Sequence, residues 1–393
     1  MDMSDFIAGN TLAQHPGTAY QYKSFVPESI CHPFTWQDSL ISTLLEEAVH
    51  KIGELNAFSR YVPNVEWFIT MHVVKEATTS SKIEGTRTEI QEALLRAEDI
   101  LPEKRDDWQE VQNYIEALKY SIARMDEIPL SVRLIKESHA ILLQGVRGAE
   151  KLPGEFRQSQ NWIGGATLRD AVFIPPPHNV VPELMSDLEK FLHDGALGVP
   201  HLLRIAIAHY QFETIHPFLD GNGRIGRLLI TLYLVHAGLL AKPTLYLSDY
   251  IERHKGLYAD NLMLVRNHNN LTQWIKFFLV AVIETAKEGI ATFRAILQLR
   301  DDVEGKRIIT LGRKIPLAKQ LLTMLYASPI VNPQEVSTGL SISPATANNL
   351  LREFERLGIL RETTGFKRNR LYIFDEYVQL FVRSAPTSIK RLT

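Results

Sequence analysis

The chain has 393 residues, of which 45% are hydrophobic and 22% are charged, as in an ordinary globular protein with room for two or three domains. Its formal net charge of −2 excludes a whole-chain bias toward nucleic acid or membrane surfaces. With Cys31 as the only cysteine, no apolar run of spanning length and no signal-peptide pattern, we expect a cytoplasmic protein that has no internal disulfide and does not enter a membrane.

The first third of the chain is predicted to be helical after an irregular start. Residues 1–35 show no clear periodicity, and we expect them to wrap around another surface. Apolar periodicity then predicts helices over residues 36–57, 65–84, 89–100, 107–125 and 131–143. Gly85 is placed to end the second of these helices, and Pro102 to end the third.

Residues 145–177 change in character, because they are rich in glycine and proline and contain only short apolar pieces. This pattern predicts a β-hairpin beside a helical core. The helical pattern then returns over residues 182–193, 200–215, 224–237, 251–267 and 271–299.

The last part of the chain follows a different pattern, which resembles a winged helix. Its predicted elements are helices over 316–327, 333–339 and 343–357 and strands over 359–363 and 370–374. The turn between the strands is basic, with Lys367, Arg368 and Arg370, and residues 300–393 carry 15 Lys and Arg against 9 Asp and Glu. Such a cluster suits DNA phosphates, although a protein contact or a solvated turn explains it as well.

The most informative segment is residues 216–227, whose sequence is HPFLDGNGRIGR. Its glycines allow backbone N–H groups to approach phosphate oxygens, and it lies where one predicted helix ends and the next begins. Asp220 can hold a divalent cation, while Arg224 and Arg227 offer permanent positive charge. His216 can accept a proton near neutral pH. The segment is therefore equipped to bind a polyphosphate.

The same segment contains Gly221, Gly223 and Gly226 in the spacing of the dinucleotide fingerprint. We reject that interpretation, because the fingerprint follows a strand, whereas an amphipathic helix is predicted over residues 200–215. A P-loop is rejected as well, because the Gly-Lys-Ser/Thr sequence is absent.

The segment resembles the signature of the Fic family, HxFx(D/E)GNGRxxR, at every fixed position. The resemblance implies transfer of AMP from ATP to a hydroxyl side chain of a target protein, with Mg²⁺ assisting. It implies that His216 is the general base, that Asp220 binds Mg²⁺ and that Arg227 reaches the terminal phosphate. The remaining ATP-binding residues of the signature are then Gly221, Asn222, Gly223 and Arg224.

A second motif precedes the predicted core. Ser80, Glu84 and Gly85 occupy the fixed positions of the inhibitory motif of the Fic family, (S/T)xxxE(G/N), although an ordinary helix end would look the same. The resemblance implies that the Glu84 carboxylate pairs with Arg227 and keeps ATP in an unproductive position. The same glutamate could also align a water molecule for removal of AMP, so the direction of the reaction stays open.

Two further regions resemble parts of the same family. The predicted hairpin would be the flap on which a target segment docks by strand addition, with Trp162 and Ile163 as contact residues, unless Trp162 packs into the core. Tyr258 and Asn261 would belong to the adenine pocket, unless they are plain helix interior.

We therefore predict a mainly α-helical fold with a Fic-type core, a small β-hairpin flap and a C-terminal winged helix. The predicted domains are residues 1–104, 105–299 and 300–393. The expected function is protein adenylyl transfer with ATP, Mg²⁺ and a hydroxyl-bearing protein target that could be the chain itself. DNA and a second copy of the chain are possible partners. The alternatives are transfer of another phosphate-containing group on the same scaffold and a nucleotide-sensing, DNA-binding regulator.

Overall fold

The computed structural model describes residues 1–61, 65–365 and 370–382, and over these residues the protein is mainly helical, which confirms the predicted fold class. The helices are α1 (Ser39–Tyr61), α2 (Val65–Ile83), α3 (Ile90–Ala93), α4 (Arg105–Arg124), α5 (Val132–Leu142), α6 (Val181–His193), α7 (His201–Ile215), α8 (Asn222–His236), α9 (Ser248–Arg253), α10 (Lys255–His268), α11 (Leu271–Asp302), α12 (Ile315–Ala327), α13 (Pro333–Gly339), α14 (Pro344–Arg356) and α15 (Asp375–Val382). The strands are β1 (Gly9–Gln14), β2 (Tyr22–Pro27), β3 (Ile330–Val331), β4 (Arg361–Glu362) and β5 (Tyr372–Ile373).

The helix α7 lies in the centre of the core and carries the site at its end. Every residue of α7 after His201 is buried, which fits a helix that neighbouring elements cover on all sides. The helices α6, α8 and α11 pack against it, and Trp274 of α11 donates its indole N–H to the carbonyl of Ala206 at 2.8 Å. The long helix α11 also packs along α1, so the N-terminal helices share the apolar core that supports the site.

The β-structure lies partly where the sequence did not predict it. Residues 145–177 form one antiparallel bridge, between Ile163 and Phe173, instead of a longer hairpin. A regular two-stranded sheet, β1 with β2, forms instead within residues 1–35. The second edge of β2 meets the bridge region, because Phe25 donates its N–H to the carbonyl of Ile174 at 2.9 Å.

Two predicted helices differ from the observed ones. The helix predicted over 89–100 is reduced to α3, whose end is fixed because Gln112 donates its side-chain amide to the carbonyl of Ala93 at 2.8 Å. The helix predicted over 251–267 is two helices, α9 and α10, which are separated at His254 with φ −120° and ψ 31°. The ring of His254 stacks on that of Tyr250 at 4.2 Å, which holds the interruption in place.

The three helices predicted for the C-terminal part form as α12, α13 and α14, and the two predicted strands form as the short strands β4 and β5. The strand β3, which the sequence did not predict, lies between α12 and α13 and joins β4 and β5 in an antiparallel sheet with the strand order β3–β5–β4. The basic residues Lys367 and Arg368 lie outside the described residues. The winged-helix assignment, the three domain boundaries, DNA binding and a homodimer stay predictions. Among the helices of the described ranges, none combines the length and the apolar character that crossing a membrane requires.

Candidate functional site

The predicted polyphosphate segment is the loop between α7 and α8, and each end of the loop has a left-handed residue. His216 ends α7 with φ 49° and ψ 61°, a conformation that is costly for a residue with a Cβ atom. Gly221 precedes α8 with φ 74°, and a Cβ atom there would lie 3.2 Å from a methyl carbon of Leu142. The chain therefore reverses direction in a compact loop, which brings His216 close to the start of α8.

The first turn of α8 can receive an anion. The backbone N–H groups of Asn222, Gly223 and Arg224 begin the helix, so no carbonyl one turn earlier in α8 can bind them. The helix dipole adds positive potential at the same place. This arrangement suits a phosphate group, as the sequence predicted for these residues.

The side chain of Asn222 closes the loop. Its side-chain oxygen accepts the N–H of Phe218, and its side-chain amide donates to the carbonyl of the same residue, both at 2.8 Å. One of the two N–H groups of the amide therefore closes the loop, and a part of Asn222 in ATP binding stays a prediction.

His216 is the first residue of this loop, and the positive charges of Arg266 and Arg157 act on its ring. Burial, followed by the positive charge of Arg266, lowers the pKa of His216 to about 3. The imidazole is therefore neutral at physiological pH, which is the protonation state that a general base requires.

Arg227 is buried and is bound by the end of α2. Its Nε donates to the Ser80 hydroxyl at 2.9 Å, and its Nη2 donates to the Ser80 carbonyl at 2.9 Å and to the Glu84 carboxylate at 2.7 Å. Although burial acts in the opposite direction, the charge of Glu84 raises the pKa of Arg227. The predicted inhibitory motif and the signature thus meet in space across 143 residues of sequence.

The backbone around Glu84 allows this approach. A Cβ atom on Gly223 would lie 2.3 Å from Oε1 of Glu84, so the carboxylate rests directly against the first turn of α8. Gly85, with φ 109°, turns the chain away after α2. Burial would raise the pKa of Glu84, but the charge of Arg227 and the hydrogen bond to it keep that pKa below its usual value.

Arg224 pairs with two carboxylates. Its Nη1 donates to Glu110 of α4 at 3.1 Å, and its Nη2 lies 3.5 Å from Oδ1 of Asp220. The Glu110 carboxylate also accepts Nε of Arg147 at 2.8 Å. Glu110 therefore holds Arg224 beside the loop, a contact that the sequence did not suggest.

Asp220 is compatible with the predicted magnesium ion. Its carboxylate is 43% exposed, and Oδ1 accepts the N–H of Gly221 at 2.5 Å. Within the described residues, no three His, Cys, Asp or Glu side chains converge as a metal site. One carboxylate suffices where phosphate oxygens and water complete the shell of Mg²⁺, so Asp220 fits an ion that is shared with a bound nucleotide.

His139 of α5 supports the loop and was not predicted. Its Nδ1 accepts the N–H of Gly154 at 2.9 Å, so its proton lies on Nε2, which donates to the carbonyl of Asp220 at 3.0 Å. Its ring stacks on that of Phe218 with centroids 3.8 Å apart. Phe218 is buried, so this stacked pair anchors the loop in the core.

Glu213 is a second buried residue that the sequence did not single out. A Cβ atom on Gly226 would lie 2.3 Å from its Oε1, which places this carboxyl group against α8. Burial raises the pKa of Glu213 to about 7, and the positive charge of Arg227 opposes this shift. This carboxyl group, which lies on α7, comes next to α8 because the chain folds back between the two helices.

Tyr258 and Asn261 of α10 are buried near α8. The Tyr258 hydroxyl lies 2.9 Å from Nε2 of His209, whose Nδ1 lies 2.9 Å from the carbonyl of Gly226. Burial lowers the pKa of His209 to about 3, so the neutral ring donates to Gly226 and accepts from Tyr258. The Asn261 amide donates to the carbonyl of Leu257 at 2.8 Å. Tyr258 thus supports α8 through His209, whereas Asn261 binds within its own helix. The contact of both residues with ATP stays a prediction.

The predicted flap residues lie at the bridge beside the loop. Trp162 has 39% of its surface exposed, so it is not a core residue. Ile163 is half-buried and donates its N–H to the carbonyl of Phe173 at 2.8 Å. A target-docking role for these two residues stays a prediction.

The helical scaffold, the loop before a helix start that can receive an anion and the glutamate that faces this start define one class of helical domains. Residues 42–123 match the family described as Fic/DOC family N-terminal, and residues 129–234 match the Fic/DOC family. The chain therefore contains the N-terminal domain and the Fic domain of the Fic/DOC family.

Relatives and solved structures agree with this assignment. The chain is 34% identical over 135 residues to protein adenylyltransferase Fic of Drosophila erecta, and 32% identical over 149 residues to that of Aedes aegypti. These segments cover 34% and 38% of the chain but 26% and 27% of the relatives, so the chain matches about a quarter of their length.

Two solved structures are similar in fold. The Fic family protein from Desulfovibrio desulfuricans has a TM-score of 0.56 at 21% identity, over 87% of this chain and 98% of that one. Fic-1 from C. elegans has a TM-score of 0.52 at 22% identity, over 67% of this chain and 75% of that one.

Proposed function

We propose that the protein transfers AMP from ATP to the hydroxyl group of a Ser, Thr or Tyr side chain on a protein. The observation that carries this proposal is the ion pair of Glu84 with Arg227 at the start of α8, because it places a carboxylate where a phosphate would bind. The names of the curated relatives support the same activity.

The chemistry follows from the position of His216 next to the start of α8. The neutral imidazole takes the proton of the attacking hydroxyl, and the hydroxyl oxygen forms a bond to the α-phosphorus of ATP. The bond from the α-phosphorus to the bridging oxygen breaks, and pyrophosphate leaves with the negative charge. The N–H groups at the start of α8 and the guanidinium of Arg227 stabilise that charge as it develops.

Asp220 would hold Mg²⁺ against the phosphates, and the ion would neutralise part of their charge. The Asp220 side chain belongs to the loop itself. Nε2 of His139 donates to the backbone carbonyl of Asp220 at 3.0 Å, which fixes the backbone at this position. The chain's own contribution is therefore a carboxylate whose backbone is held in place from α5.

We infer that Glu84 restrains this activity. The guanidinium of Arg227 already has three hydrogen bonds to Ser80 and Glu84, so a terminal phosphate has to compete with the carboxylate for it. A nucleotide that binds without Arg227 places its α-phosphorus less well for attack, and transfer slows.

Mass spectrometry tests the proposal. The native chain and Glu84→Gly are incubated with Mg²⁺ and ATP, and the expected result is added AMP on the variant, either on itself or on proteins of a cell extract. Added phosphate without adenosine would indicate phosphoryl transfer on the same scaffold and would contradict AMP transfer. An unmodified variant that binds ATP in calorimetry would reduce the site to nucleotide binding.

A further inference from the structure

The segment of residues 157–161 binds the backbone of the loop through hydrogen bonds. Arg157 and Asn161 together donate to four consecutive carbonyls, those of residues 215–218. Nε of Arg157 donates to the carbonyl of His216 at 2.9 Å, and the side-chain amide of Asn161 donates to the same carbonyl at 3.1 Å. The other three carbonyls accept Nη2 of Arg157 at 3.3 Å, its backbone N–H at 2.9 Å and the Asn161 amide at 2.8 Å.

Arg157 is an unusual buried cation. It is 2% exposed, and within the described residues no carboxylate forms an ion pair with it. Its charge instead lies at the C-terminal end of α7, where the helix dipole is negative and the last carbonyls lack partners within the helix. Burial lowers the pKa of Arg157 to about 10, which still leaves it protonated at neutral pH.

Residues 159–176 contain the bridge between Ile163 and Phe173 and are the observed counterpart of the predicted flap. The same guanidinium binds both ends of this shorter flap. Nη1 donates to the carbonyl of Ser159 at 3.3 Å, and Nη2 donates to the carbonyl of Pro176. One side chain therefore joins the two ends of the flap to the backbone of His216.

We propose that Arg157 is a positioning residue, which holds the left-handed backbone of His216 and couples it to the flap. His216 needs such support, because a non-glycine residue keeps this conformation only when its surroundings fix it. A fork of donors can bind several carbonyls at once, which the single ammonium group of a lysine cannot reproduce. The inference deepens the proposed function and rests on it for its catalytic part.

Hydrogen exchange tests the structural part without any need for activity. In Arg157→Lys we expect amides of the flap and of residues 215–221 to exchange at least tenfold faster together, while those of α11 stay unchanged. The matched control is Arg204→Lys. Arg204 is a buried arginine within α7, and it donates to a backbone carbonyl, that of Phe191, which lies away from the loop. Faster exchange in only one of the two segments, or in neither, would overturn the coupling.

Kinetics test the catalytic part in the Glu84→Gly background, with labelled ATP, Mg²⁺ and the chain as its own acceptor. We expect Arg157→Lys to lower kcat at least tenfold while the KM for ATP changes less than twofold. Asn161→Ala, which removes fewer contacts, should lower kcat about threefold and serves if Arg157→Lys does not fold. Unchanged kcat in both variants would overturn the positioning role. If the Glu84→Gly parent transfers no AMP, the proposed function fails, and hydrogen exchange alone decides on Arg157.

Discussion

Arg227 and Arg157 are both buried beside the loop of residues 216–221, but their charges are balanced in different ways. Arg227 faces the carboxylate of Glu84, which raises its pKa against the effect of burial. Arg157 faces neutral carbonyls, and burial lowers its pKa to about 10.

The two arginines therefore differ in whether their partner can be replaced: Arg227 can exchange the Glu84 carboxylate for another anion, whereas Arg157 cannot exchange its backbone carbonyls. A bound phosphate can replace the carboxylate beside Arg227, because one anion replaces another at similar electrostatic cost. The backbone carbonyls beside Arg157 cannot leave without unfolding the loop. We therefore expect changes near Arg227 to alter regulation and changes near Arg157 to alter the geometry of His216.

The largest expected effect is at His216, whose carbonyl accepts a hydrogen bond from Arg157. In the Glu84→Gly background, His216→Ala removes the general base, and we expect incorporation of labelled AMP to fall about a thousandfold. The exposed His178, changed to alanine in the same background, is the control and should leave the rate unchanged. A rate within tenfold of the parent would contradict the role of His216 as base.

The next effect concerns the partner of Arg227. Glu84→Gly should raise AMP incorporation about a hundredfold over the native chain, because breaking the pair frees a buried guanidinium for phosphate. Glu84→Gln should raise it less, since the amide still accepts a hydrogen bond but carries no charge. Glu98→Gly, at a largely exposed glutamate, is the control. Equal rates in Glu84→Gln and the native chain would show that the charge is not what restrains transfer.

Gly223→Ala tests the contact beneath Glu84. In the native chain the new Cβ atom would lie 2.3 Å from Oε1, so we expect a loss of about 1–2 kcal/mol in the free energy of unfolding. In the Glu84→Gly background the clash with Oε1 is gone, but Nη1 of Arg227 would still lie 2.9 Å from the Cβ atom, so alanine should cost about 1 kcal/mol less than in the native chain. Denaturant unfolding measures both values.

Gly226→Ala is the matched control for that cycle. Its Cβ atom would lie 2.3 Å from Glu213, which Glu84→Gly leaves in place, so it should destabilise the protein in both backgrounds. Additive effects of Gly223→Ala and Glu84→Gly would contradict the close contact.

The last effect is a pH dependence at Glu213, whose carboxyl group is influenced by the charge of Arg227. Its pKa is raised to about 7, so the folded state keeps a proton that the unfolded state loses above about pH 4.5. Its stabilising contribution is complete below that pH and is lost as the pH rises to 7. Glu213→Gln, which resembles the protonated acid, should gain about 1 kcal/mol on the native chain for each pH unit between 5 and 7. A difference that does not change with pH would contradict this.

The sequence predicts the loop well because its parts are neighbours in the chain. His216, Asp220 and Arg227 lie within one run, and helix periodicity predicts α7 on one side of it. The pairing of Arg227 with Glu84 followed only from the family resemblance, since 143 residues separate the two.

The supporting residues could not be predicted, because their partners are backbone groups. His139 and Arg157 bind carbonyls, which every residue has, so no pattern of side chains indicates the contact. The spacing of Asn222 likewise does not reveal that its amide binds the carbonyl of Phe218. The strand β1 was missed because four of its six residues are exposed and show no alternation.

The N-terminal sheet has a practical consequence for anyone who prepares this protein. Phe25 of β2 binds the backbone of Ile174 at 2.9 Å, and its ring lies 5.8 Å from that of Phe173. A shortened version that starts at α1 would keep every residue of the signature. It would lose β1 and β2, however, and would so expose Phe173 and Ile174. Loss of activity in such a truncation would then report a disturbed bridge region rather than the loss of a residue of the signature.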